Sequence, residues 1–144
     1  MKPTSRKKPR RMARRALLQV LYEVDISGHS IKDSLIWVSE ELCLDEQSVE
    51  FVRVSANNII SDQTLLDTKI QLYAQNWPIS QLPVVDRSIL RIAFYEILTS
   101  GETPPKVAIN EAVELAKRFG SESLPRFVNG VLGKFLQTTI TDKS

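Results

Sequence analysis

A chain of 144 residues, 42% hydrophobic and 25% charged, has the composition of one ordinary globular domain, able to bury about 70% of the surface its unfolded form exposes. One cysteine, Cys43, and one histidine, His29, exclude an internal disulfide and any recognised metal-ligand spacing, and no apolar run approaches the roughly eighteen residues of a membrane span. The net charge of +2 hides an asymmetry: residues 2–15 carry eight of the nineteen Lys and Arg and no acid, leaving eleven cations against seventeen acids, a net of −6, in residues 16–144.

A cationic segment on an acidic body points to a local polyanion site, because the body repels phosphates beyond a Debye length of about 8–10 Å. The segment MKPTSRKKPRRMARR has no apolar core or small-residue cleavage site, so it reads as part of the mature protein. With a single thiol, a reducing, cytoplasmic setting is the simple expectation.

In chain order, residues 1–8 are expected to be a flexible basic arm. Ala13, Ala16, Leu17, Val20, Leu21 and Val24 then gather on one face at about 100° per residue, predicting an amphipathic helix over 9–27 that Gly28 ends. Leu18, Tyr22 and Ile26 lie outside that stripe, on the side of Arg11 and Arg15, which gives the helix a second surface. Further helices are predicted over 31–43 and 45–75, the latter capped by Asp45. NWPISQLP breaks the chain.

Residues 84–99 are apolar around most of the circumference, apart from a wedge at Arg87, Ser88, Arg91 and Tyr95, as in a central helix packed on several sides. Arg91 and Glu96 on such a helix each require a hydrogen-bonding partner. SGETPP is a turn in which Thr103 caps and the prolines open a helix over 105–119, with Gly120 at its end. That helix directs Ala108, Ile109, Ala112, Val113, Leu115, Ala116 and Phe119 inward and pairs Glu114 with Arg118 outside. A last helix, 124–137, buries Phe127, Val128, Val131, Leu132, Phe135 and Leu136, and residues 139–144 form a flexible tail. No strand pattern is present. The expected fold is all-α: two three-helix bundles, about 9–75 and 84–138, packed as a single domain over 9–138.

Catalysis has little support. His29 and Cys43 have no evident partners, and Glu40-Glu41 and Asp45-Glu46 read as capping and solvated charges. The basic run is the strongest signal, since its arginines continue into a helix and so hold part of the charge in fixed geometry, as in arginine-rich RNA-binding segments. A single strand fits better than a duplex, because no separate base-reading helix is apparent. The first helix lacks the bulky aromatics of an interfacial anchor, so no membrane partner is expected.

Four stretches, RRMARRALLQVLYEVD, VVDRSILRIAFYEI, VAINEAVELAKRFG and FVNGVL, resemble in order and spacing the signature segments of the NusB family of bacterial transcription antitermination factors, over residues 6–136. The length resembles the free-standing members rather than the domain fused to an RNA methyltransferase. The resemblance implies no enzyme activity, no cofactor and no metal. It implies a heterodimer with NusE, binding of that pair to single-stranded boxA RNA, and assembly with a modified RNA polymerase that reads through terminators, notably in ribosomal RNA operons. RNA contacts are implied at Arg6, Lys7, Lys8, Arg10, Arg11, Arg14, Arg126, Phe127 and Asn129, and NusE contacts at Tyr22 and Asp86. Phe127 is open to either base stacking or core packing, and Asp86 to either a partner contact or a favourable place at its helix N-terminus. The competing reading is a helical protein-interaction module with a non-specific basic tail.

Overall fold

The computed structural model describes residues 7–100 and 103–143, with side chains for 9–99 and 103–138; among these the chain is all-helical, with seven α-helices and no strand. It divides into two compact units, Met1–Ser61 and Asp62–Ser144.

The first unit packs α1 (Lys7–Ser27) against α2 (Ile31–Glu41) and α3 (Glu46–Ser61). The predicted stripe of α1 is buried at Ala13, Ala16, Leu17, Val20 and Leu21. Gly28, at φ 71°, turns the chain out of the helix in the left-handed region that glycine adopts without a Cβ penalty. The Ser30 side chain then accepts the Asp33 N–H at 3.1 Å and caps α2. That helix stops at Glu41, short of the predicted 43, because Cys43 takes φ 52° in the following turn. Asp45 Oδ1 accepts the Ser48 N–H at 2.8 Å, the expected cap of α3.

The single helix predicted over 45–75 is two. Asp62, at ψ 18°, interrupts the ladder, and the Leu66 N–H bonded to its carbonyl restarts it as α4 (Gln63–Tyr73). No glycine or proline marks this break, which is why periodicity alone runs through it. The compact units therefore part at Ser61–Asp62 rather than at NWPISQLP.

The second unit continues through a 3-10 turn (Ile79–Gln81) to α5 (Val84–Tyr95), a π-helical turn (Glu96–Ser100), α6 (Pro105–Phe119) and α7 (Leu124–Lys143). Ile89, Leu90, Ile92, Ala93 and Phe94 of α5 are buried, and Phe94 stacks on Phe135 of α7 with centroids 4.5 Å apart. The polar wedge of α5 is itself buried at Ser88, Arg91 and Tyr95. Arg91 finds the partner its burial demands: Nε and Nη2 donate to Asp67 Oδ1 and Oδ2 of α4 at 2.7 and 2.8 Å.

Three local expectations differ. Thr103 does not cap α6; Pro104 stands at that position, and the Thr103 hydroxyl instead donates to buried Glu96 at 3.3 Å. Glu114 pairs with Lys117 at 3.5 Å, while Arg118 lies 5.9 Å from the Phe119 ring, which stays more than a third exposed rather than joining the core. At the ends, Lys7 and Lys8 are already helical in backbone, and α7 runs to Lys143, beyond the predicted end at 137.

Candidate nucleic-acid interface

Helix α1 opens with six cations between Lys7 and Arg15 and no acid in its first turn. Arg11 is exposed and Arg15 half-buried. Arg10 is partly buried, its guanidinium 4.1 Å from the centroid of the Phe51 ring on α3 in a cation–π contact. Arg6 lies outside the described residues, as do the side chains of Lys7 and Lys8.

Arg14 is enclosed. It is 4% exposed, because the buried face of α1 is wider than the predicted stripe and takes in Leu18 beside Leu17 and Leu21. A side chain that enclosed does not present a phosphate fork to solvent. The second surface narrows accordingly to Tyr22, 40% exposed, and Ile26.

Asp86 is enclosed as well. It is 3% exposed, and its carboxylate accepts the Ser121 hydroxyl at 2.7 Å and the Ser121 N–H at 3.3 Å. The acid ties the first turn of α5 to the α6–α7 connection.

At the start of α7, Arg126 and Asn129 are exposed and Phe127 is half-buried, with its ring meeting Trp77 edge-on at 5.9 Å. Pro125 occupies the second position of α7, where its missing N–H costs nothing, so it leaves the helix start intact. Arg126, Gly130 and Lys134 follow at spacings of four along one side of α7. With Trp77, Asn76 and Phe127 they line an open groove of about 220 Å³. Trp77 is 57% exposed.

The loop carrying Trp77 is fixed by one side chain. The Gln71 carboxamide donates to the carbonyls of Ala74 at 2.7 Å and Trp77 at 3.0 Å, and accepts the Ile79 N–H at 3.0 Å. Sequence reasoning did not single out Trp77, Gln71 or Lys134, which the fold brings to this groove and its loop; the spacing of Lys134 from Arg126 and a tryptophan inside a proline-rich break are the signals that point to two of them.

Other chemistry is sparse. His29 Nδ1 lies 3.3 Å from Glu23 Oε2, with its ring edge-on to Trp37, and Cys43 is exposed in its turn. Among the described residues no group of three His, Cys, Asp or Glu could hold a metal ion, and no helix is long and apolar enough to cross a membrane.

The family model described as NusB family matches residues 11–137. The transcription antitermination protein NusB of Dehalococcoides mccartyi (strain CBDB1) is 47% identical over 123 residues, covering 85% of this chain and 86% of that one. T. maritima NusB aligns with TM-score 0.80 and 33% identity over 87% of this chain and 88% of that one. A crystal structure of antitermination factors NusB and NusE in complex with dsRNA aligns with TM-score 0.80 over 91% and 98% of the two chains, and at 24% identity it speaks to the fold.

Helical fold, cationic α1 and these matches define the class of transcription antitermination proteins. The chain belongs to the NusB family.

Proposed function

We propose that this chain acts without catalysis as an RNA-binding antitermination factor in the cytoplasm, pairing with NusE on single-stranded boxA RNA and joining the RNA polymerase complex that reads through terminators, notably in ribosomal RNA operons. The observation that carries the reading is the start of α1, where a run of cations with no acid is held on a helix whose other side is core. Such a helix keeps guanidinium and ammonium groups in register with a phosphate chain instead of leaving them on a random tail. Lys7, Lys8, Arg10 and Arg11 supply phosphate contacts, with Arg6 ahead of them, and Arg126, Phe127 and Asn129 on the second unit supply further contacts. Tyr22, exposed on α1, supports a place for NusE, the partner present with NusB and dsRNA in the neighbouring crystal structure.

The test is replacement of Lys7, Lys8 and Arg11 by Gln, followed by RNA affinity over a salt series. For single strands the steepness of the logarithmic salt dependence falls by about 0.7 for each phosphate no longer neutralised. An unchanged slope would leave the basic end of α1 as a solubilising feature.

A further inference from the structure

We infer that Trp77 is a stacking platform for one unpaired RNA base, whose flanking phosphates are held by Arg126 and Lys134. The inference deepens the RNA-binding reading and rests on it.

Three observations converge on Trp77. An indole more than half exposed at the wall of a groove offers an apolar surface on which a flat ring can stack. Phe127 approaches it edge-on, at an interplanar angle of 71°, so Phe127 buttresses the indole and leaves the exposed aromatic surface to Trp77. The groove also carries positive charge: Arg126 and Lys134 line it from positions two helical turns apart on α7. Two helical turns span about 11 Å, and the long side chains of Arg126 and Lys134 can reach inward from those positions to phosphates on either side of a splayed base.

Gln71 is the positioning residue. Its three hydrogen bonds close the loop from Ala74 to Ile79, so the indole is held before any ligand arrives and less ordering is needed on binding. A base in a duplex has both faces covered by its neighbours, whereas an unpaired base exposes a face to an aromatic ring. The groove therefore selects unpaired nucleotides. Stacking is tolerant of base identity, so it contributes affinity for a single strand more than sequence preference.

The test uses the full chain with Trp37→Phe, which leaves Trp77 as the only tryptophan. A short unstructured RNA should quench and shift Trp77 emission, whereas an abasic oligomer of equal phosphate count should bind more weakly and leave the emission unchanged. Trp77→Ala should weaken RNA binding about tenfold, with Trp77→Tyr retaining most of the affinity. Binding that leaves Trp77 emission unchanged, or equal quenching by a fully paired RNA, would overturn the platform while leaving the RNA-binding reading in place. Failure of the unsubstituted chain to bind RNA would overturn both.

Discussion

The Asp86 carboxylate accepts both the hydroxyl and the N–H of Ser121, joining residues 35 apart in sequence and anchoring the connection from which Arg126 and Phe127 emerge. Removing the carboxylate loses two hydrogen bonds to a charged acceptor, so Asp86→Ala should destabilise the chain by about 1–3 kcal/mol, and Asp86→Asn, which keeps an acceptor oxygen, by less. Urea unfolding midpoints of the two variants check this.

Arg91 and Asp67 behave as a unit. With Arg91 side chain 8% and Asp67 23% exposed, Asp67→Ala leaves a guanidinium without its counter-charge and should cost about 3 kcal/mol, the low end for a buried pair because water reaches Asp67. The double variant Arg91→Met, Asp67→Leu should recover much of that stability. A double-mutant cycle by urea unfolding measures the coupling.

The Ser48 N–H, with the Ser48 hydroxyl second, holds the Asp45 carboxyl below its ordinary value of 3.8. A carboxyl whose folded value is depressed adds stability that is present above pH 3.8 and is lost as pH falls through the folded value. Asp45→Asn should therefore be less stable than the parent near neutral pH and converge on it in acid. Midpoints of unfolding from about pH 7 to about pH 2 test the sign.

Gly120 is needed for space rather than for backbone freedom, since its φ is −89°. A Cβ there would run into Leu124 and stand 3.0 Å from the Ala116 carbonyl. Gly120→Ala should destabilise by about 1–3 kcal/mol through overpacking, read as a fall in melting temperature.

Gln71→Leu removes three hydrogen bonds and frees the loop that carries Trp77. RNA affinity should fall severalfold although no ligand-facing group has changed. Fluorescence anisotropy on labelled RNA, alongside a thermal melt that separates loop loosening from global unfolding, measures both effects.

Helices α1 and α6 are legible in the sequence because period and punctuation agree: an apolar stripe with Gly28 behind one, and a stripe with Pro104 and Pro105 ahead of the other. The α3–α4 break is hidden, since Ser61-Asp62 interrupts the backbone without interrupting the hydrophobic pattern. Arg14 and Asp86 are less exposed than their polarity suggests, for one reason. Polarity in a sequence is read as exposure, but enclosure depends on neighbours that the chain brings from elsewhere, such as Ser121 beside Asp86. Trp77 escapes because its setting depends on Gln71, six residues back, and on Phe127, fifty residues on. Arg91 shows the converse: a charge on an apolar helix requires a partner, and only its identity, Asp67, has to come from the fold.

The most direct test of the proposed function is the affinity of the full chain, with NusE present, for boxA RNA against a scrambled RNA of equal length and composition over a salt series. Tighter binding to boxA is predicted at every salt concentration, with affinity for both RNAs falling as salt rises. Equal affinity for the two RNAs, or binding indifferent to salt, would contradict it.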